Sequence, residues 1–225
     1  MTRLLLIRHG QTPGNVAGQL DTEVPGPPLT ELGVEQAEAV AEVLGRELIT
    51  SLHASSQLRA QQTAAPLARV HGLPVLVDDD LREVSAGDWV MRSDDEAVQG
   101  YLDVLHTWMT GDHERRMPGG PSGTEFLARY DAAVRRVTAG TAPGDTVAVV
   151  SHGAAIRVWA TVRGLNVDAD FGIRNRLPNT GVVALEADPA GGWMIDTWLG
   201  QPLGGPAVDD PDGEGPAGEP STDPF

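Results

Sequence analysis

Apolar residues recur along this chain in two rhythms. Short unbroken runs mark strands: "RLLLIR" at 3–8, "SLHAS" at 51–55, "PVLVDDD" at 74–80 and "TVAVVSHG" at 146–153. Runs this short and this apolar suit strands buried on both faces. Between them the spacing changes to three and four residues, the period of a helix with one apolar face. Starting from Thr30, Val34, Ala37, Ala41, Leu44 and Leu48 form one such stripe. Val98, Tyr101, Leu105 and Trp108 predict a helix near 94–110, and Phe126, Tyr130, Ala133 and Val137 predict another. Ser122 with Glu125 three residues on is a capping box for that last helix. A further helix over about 56–70 is stopped by Gly72 and Pro74, and 154–163 is apolar enough for one more. Two final strands, 180–186 and 193–199, are separated by the turn signal "DPAGG".

Strands alternating with helices predict an α/β fold, a three-layer sandwich with a mostly parallel central sheet flanked by helices. Ligands of such sheets sit outside the carboxyl ends of the strands. Two of the predicted strands end there in the same way, with a histidine and then a glycine: His9-Gly10 and His152-Gly153.

After residue 199 the pattern stops. Twelve of the 26 residues in 200–225 are Pro or Gly, six are Asp or Glu and none is basic. Such a segment buries too little apolar surface to offset its ordering entropy, which predicts a folded domain over 1–199 and a disordered acidic tail over 200–225.

Composition then removes several chemistries. The chain of 225 residues has no Cys, which excludes disulfides, thiolate metal sites and cysteine nucleophiles. All 16 basic residues are Arg, so there is no Schiff-base, P-loop or kinase-type lysine. The net charge of −16 disfavours nucleic acid and anionic membrane surfaces as partners. No apolar run approaches the roughly 20 residues of a membrane span. The N-terminus lacks the features of an export signal, so a cytoplasmic location is expected. The six His include no pair at i, i+4, and Asp78, Asp79 and Asp80 read as a solvated loop, so no metal or other cofactor is expected. An anionic ligand must therefore be held by local arginines against the overall field.

Four segments offer polar residues where this fold converges. They supply Arg8, His9, Gly10, Thr12 and Asn15; Arg59, early in its helix; Glu83, just after a strand; and His152 with Gly153. Singly, each has a structural explanation; the repeated strand-end context favours a joint site.

These segments, "LLLIRHGQTPGN", "LTELGVEQA", "SSQLRAQQTA", "LREVSAGDW", "MPGGPSGTEF", "VVSHGAAIR" and "NTGVVAL", together resemble the histidine phosphatase superfamily, whose fold is phosphoglycerate mutase-like, over about residues 3–198. The resemblance implies that His9 attacks a phosphoryl group and becomes a phosphohistidine. It implies that Arg8, Arg59 and His152 hold the phosphoryl oxygens, that Thr12 and Asn15 line or support the pocket, and that Glu83 protonates the leaving group. Arginine suits the task, since its planar fork matches phosphoryl oxygens and keeps its proton. Gly10 and Gly153 are expected to let the backbone approach the anion closely, and a protonated His152 to help offset the dianion. The implied activity is a metal-independent phosphoric monoester hydrolase of the histidine acid phosphatase type, acting on a small phosphorylated metabolite. A cofactor-dependent phosphoglycerate mutase and a non-catalytic member that binds a phospholigand or a partner are the alternatives. The sequence departs from the family pattern at Val90-Met91, at Pro121 and in the extra "EVPGP" near residue 25, all on loops expected to flank the pocket. Arg115 and Arg116 could meet an anionic part of a substrate, although a solvated helix end is the simpler reading.

Overall fold

In the computed structural model, which describes residues 1–213 and 215–218, six strands build one sheet. They are β1 (Arg3–Arg8), β2 (Ile49–Ser55), β3 (Val75–Asp78), β4 (Thr146–Ser151), β5 (Val182–Ala187) and β6 (Trp193–Trp198), in the order β3-β2-β4-β1-β5-β6. The first four run parallel to one another; β5, antiparallel to β1, and β6 add an antiparallel edge. Strand alternation sorts the core into two layers. Leu4 and Leu6 of β1 face one cluster, Leu5 and Ile7 the other. Helices α2 (Glu31–Leu44) and α3 (Leu58–His71) cover the second cluster, while α4 (Asp95–Met109), α5 (Gly123–Val137) and α6 (Gly153–Arg163) cover the first. In that first layer Trp108, Phe126, Tyr130 and Trp159 form a chain of rings with centroids 5.7–5.9 Å apart. Side chains of this size each contribute about 1.5–3 kcal/mol when fully buried, which makes this the more heavily built side.

The expected three-layer arrangement is present, with differences in detail. The α2 stripe ends at Leu44 because Gly45 closes the helix, and Leu48, which continues the spacing in sequence, is 83% exposed. Two short helices, α1 (Pro13–Val16) and α7 (Ala169–Arg174), have no periodic signature long enough to predict them. The aspartates after β3 are not a merely solvated loop. Arg136 of α5 reaches Asp78 at 2.9 Å and Asp80 at 2.6 Å, and Asp79 accepts from Ser56 Oγ, so the triplet ties the β3 end to both neighbours.

The described part of the tail also differs from the expectation of disorder. It turns back along the domain with Leu203 buried at 7% exposure. Gln36 Nε2 donates to Val208 O (2.8 Å), Arg176 pairs with Asp209 (2.9 Å) and Gln11 Nε2 donates to Asp210 (2.8 Å). Arg157 Nη1 then donates to Ala217 O, and Leu177 N to Gly218 O, both at 3.1 Å. An apolar count misses such a strap, because the domain lends it long polar side chains and its prolines leave it less entropy to lose. Residues 214 and 219–225, which the same expectation covers, lie outside the described residues.

Candidate active site

The register of the sheet creates the site. Arg8 lies opposite Ser151 on the neighbouring parallel strand, so both strand-His-Gly motifs leave the sheet at the same level. His9 N donates to Ser151 O (3.0 Å), and the His9 and His152 ring centroids are 5.1 Å apart. From the next strand, β2, the chain turns into α3 and carries Arg59 beneath His9. Glu83 arrives from the loop after β3.

The hydrogen bonds of His9 fix its tautomer. Its Nδ1 lies 2.7 Å from Gly10 O, an acceptor only, so Nδ1 carries the proton. Nε2 is then a lone pair, and it accepts from Arg59 Nε at 3.1 Å. Burial first, and then the Arg59 and Arg8 charges, hold the His9 pKa well below its usual value, against the pull of the Gly10 bond. The imidazole is neutral, with an available nitrogen beside two guanidinium groups.

His152 is neutral for the same reasons: burial, then Arg59, His9, Arg129 and Arg8, push its pKa well below normal. The expected imidazolium is therefore not its state in this structure; a cation there would be buried against other cations. Its Nε2 lies 2.8 Å from Ser55 Oγ, a hydroxyl that also accepts from Gln57 N at 3.3 Å. Among the described residues the Ser55 hydroxyl has no other acceptor, so donating its proton to Nε2 satisfies both groups and leaves the His152 proton on Nδ1. Among the described residues, Nδ1 of His152 and Nη1 of Arg59 are buried with no hydrogen-bond partner. Buried donors left in this state are costly unless an acceptor arrives, about 1–3 kcal/mol each.

Arg8 donates from Nη1 to Leu177 O (2.8 Å) and Arg59 from Nη2 to Asp21 O (3.0 Å), bonds that hold both guanidinium groups at the strand ends. Thr12 caps α1: its backbone N and Oγ1 donate to Asn15 Oδ1, and Asn179 Nδ2 donates to His9 O at 3.0 Å. Glu83 Oε1 accepts from Val84 N and Ala155 N (both 2.8 Å), and Oε2 accepts from Ala154 N at 3.2 Å. Burial raises its pKa, and these bonds together with Arg59 oppose the rise. The protein thus favours a protonated Glu83 through burial, before any anion is bound.

Arg8, His9, Thr12, Asn15, Arg59, Glu83 and Tyr101 line one cavity of about 30 Å³, closed on its open side by Pro216 and Ala217 of the strap. That is room for about two waters. His152 and Gly153 stand behind this lining. A Cβ on Gly153 would come within 3.0 Å of Ala217 O and 3.1 Å of Arg8 Nε, so this glycine makes room for the strap and the guanidinium. Gly10 serves another purpose than the one expected: a Cβ there would meet Gly33 O at 2.6 Å, so it admits α2 against the loop. Arg115 and Arg116 do not reach the cavity; Arg116 pairs with Glu125, and Arg115 donates to Thr107. Sequence reasoning missed Ser55, Tyr101, Asn179 and the strap. Ser55 and Asn179 stand inside quoted segments, and their polar character at a strand or loop end was the available signal.

Among the described residues no helix is long and apolar enough to cross a membrane. A model of the histidine phosphatase superfamily (branch 1) matches residues 4–199. The chain is 32% identical to a probable phosphoglycerate mutase GpmB of Yersinia pestis, over 88% of this chain and 92% of that one. It is 34% identical to a PE-PGRS family protein, PE_PGRS11 of Mycobacterium tuberculosis, over 88% of its own length but only 36% of that longer protein. The structure of a mycobacterial glucosyl-3-phosphoglycerate phosphatase complexed with VO3 superposes with a TM-score of 0.74 at 30% identity, covering 87% of this chain and 98% of the other. By sequence and by architecture, this chain belongs to the histidine phosphatase superfamily.

Proposed function

We propose that this protein is a phosphatase of the histidine acid phosphatase type, which hydrolyses a small phosphorylated substrate through a phosphohistidine on His9. The observation that carries the reading is the fixed tautomer of His9, whose Nε2 lone pair is presented beside Arg8 and Arg59. An incoming phosphoryl group takes the Arg59 Nε–H for one of its oxygens and so frees that lone pair. Attack forms the N–P bond as the P–O bond to the leaving group breaks, with charge on the equatorial oxygens met by Arg8, Arg59, Asn15 and the Nδ1–H of His152. Glu83 gives its proton to the departing oxygen from Oε2, the more weakly held of its two oxygens. It takes a proton back from the water that releases inorganic phosphate. Thr12 and Gly153 support this pocket by placing Asn15 and Arg8.

The tilt toward hydrolysis comes from the solved neighbour, a phosphatase complexed with VO3, whose three oxygens on one centre resemble the planar phosphoryl group in transfer. The mutase reading shares the intermediate, and a mutase relative keeps it as the second reading. Brief incubation with labelled substrate should trap an acid-labile, base-stable phosphoenzyme, with labelled inorganic phosphate as the product and no loss of rate in the presence of a chelator. His9→Ala should lose both trapping and turnover. Ordinary turnover in that variant overturns the mechanism, and transfer of label to a second hydroxyl without phosphate release makes the protein a mutase.

A further inference from the structure

A second cleft lies at the edge of the sheet opposite to His9. It has a volume of about 230 Å³ and opens between α5, the end of α6 and the start of β6, lined by Asp131, Arg135, Trp159, Arg163 and Trp193 among others. The register places it. Ala187 N donates to Thr2 O, at the amino end of β1, and Trp193 pairs with Ala187. Helix α6 leaves the catalytic edge at Gly153 and ends at Arg163. No residue that lines this cleft also lines the catalytic pocket.

The acid of this cleft is already engaged. Asp131 Oδ1 accepts from Trp159 Nε1 (2.8 Å) and from Arg163 Nε (3.0 Å), and its Oδ2 accepts from Arg163 Nη2 (2.7 Å). Asp131 and Arg163 therefore cancel, and Trp159, its N–H committed, presents only its ring. Arg135, one turn along α5 from Asp131, is exposed and has no ion pair or hydrogen bond among the described residues. The half-buried Trp193 ring stands edge-on to Trp159 with centroids 6.2 Å apart, and its N–H likewise has no acceptor among the described residues. One positive charge is thus left over beside two indole rings, in a chain whose net charge is −16. A cationic ligand would find no carboxylate here to pair with. The volume is below the roughly 300 Å³ at which drug-sized pockets begin, which limits a ligand to one or two rings.

We propose that this cleft is a binding site for a small aromatic carboxylate, with the ring packed against Trp159 and Trp193 and the carboxylate held by Arg135. Indole rings favour an aromatic partner in offset or edge-on contact over an aliphatic one of equal size. A planar carboxylate matches the guanidinium fork, and Arg135 has no other anion to give up for it. The site is independent of the reading of His9 and stands or falls without it.

The test uses three probes: phenylacetate, phenylacetamide, which lacks the charge, and cyclohexylacetate, which lacks the aromatic ring. Titrated into the isotope-labelled full chain, phenylacetate should shift the indole N–H resonances of Trp159 and Trp193 with a Kd of about 1–10 mM, the strength expected of so small a ligand. Phenylacetamide should bind about tenfold more weakly, the effect of losing one charge-assisted contact. Cyclohexylacetate should bind about 2–10-fold more weakly, the effect of losing the ring contacts. In Arg135→Gln the acid and the amide should reach equal affinity; in Trp193→Leu, read from the Trp159 resonance, phenylacetate and cyclohexylacetate should do so. Both replaced side chains reach solvent, and thermal unfolding confirms that each variant is folded. Absence of shifts at both indoles, equal affinity for the acid and the amide in the wild-type protein, or an acid preference kept by Arg135→Gln overturns the proposal. Shifts that inorganic phosphate abolishes also overturn it, since they would place the probe among the arginines beside His9.

Discussion

Replacing Ser55 by alanine removes one oxygen atom and isolates the role of His152. Ser55 and His152 are both fully buried, and among the described residues the 2.8 Å contact between them is the one hydrogen bond of the His152 ring. Without the hydroxyl, Nε2 is a buried acceptor with no donor, and Gln57 N loses its bond as well. An orphaned buried group costs about 1–3 kcal/mol, which for a chain of this length lowers Tm by about 2–10 °C. The functional consequence is separate. Nothing then directs a proton to Nε2, so the imidazole is free to hold its own proton there, and the donor facing the phosphoryl group becomes an acceptor. Loss of a charge-assisted donor corresponds to about 10–100-fold in kcat/KM. Inhibition by inorganic phosphate should weaken in the same sense, because phosphate uses the same donor. The assay is therefore a pair of measurements on one variant: thermal unfolding, and steady-state kinetics with phosphate as inhibitor. A lowered Tm with kcat/KM and phosphate inhibition both within twofold of the wild-type protein would refute the tautomer argument and leave Ser55 a packing residue.

The strap and the titration of the two histidines give further predictions. Deleting residues 209–225 removes Pro216 and Ala217 from the mouth of the pocket together with the Arg157–Ala217 and Leu177–Gly218 bonds; at about 0.5–1.5 kcal/mol for each bond, kcat/KM should rise by about 5–100-fold if the strap must lift before substrate enters. A fall in kcat/KM would mean that the strap closes over bound substrate and contributes to holding it. Because His9 and His152 have folded-state pKa values well below 6.5, the unfolded chain binds more protons than the native one as pH falls through about 6.5. Their contribution to stability is complete above that pH and is lost progressively toward their folded values, so Tm should fall between about pH 7.5 and 5.5, less steeply in His152→Gln. A steeper or unchanged slope in that variant contradicts the assignment. The rate of phosphoenzyme formation should show no titration of His9 near 6.5, since its nucleophilic nitrogen stays unprotonated below that pH.

The parts of this site that were legible in the sequence are those imposed by the sheet. Residues 3–8 and 146–151 read as strands because both of their faces are apolar, and two such strands in adjacent parallel register must deliver their next residues, His9 and His152, to one place. The position of Arg59 follows from a helix that starts directly after β2. The same logic explains what stayed hidden. Ser55 and Asn179 act through hydrogen bonds to His152 and His9, far away in the sequence, and one polar residue leaves no period to detect. The strap escaped for a related reason: its bonds are made by Gln11, Gln36, Arg157 and Arg176, which belong to the domain, so no property of the segment itself announces them.

Charge was where the sequence argument needed the structure most. Counting residues suggested that a protonated His152 would add to Arg8 and Arg59 in meeting a dianion, but charge depends on burial and on neighbours that no count includes. With Arg8, Arg59 and Arg129 all acting on a fully buried ring, a further proton is the expensive state. The neutral histidine is also the more useful one. It offers an N–H to the phosphoryl group without repelling the guanidinium groups, and it leaves His9 deprotonated at the nitrogen that must attack. A bound dianion pulls the other way, since negative charge raises the proton affinity of both rings, so the depressed pKa values of His9 and His152 are what keep the attacking nitrogen free while substrate is bound.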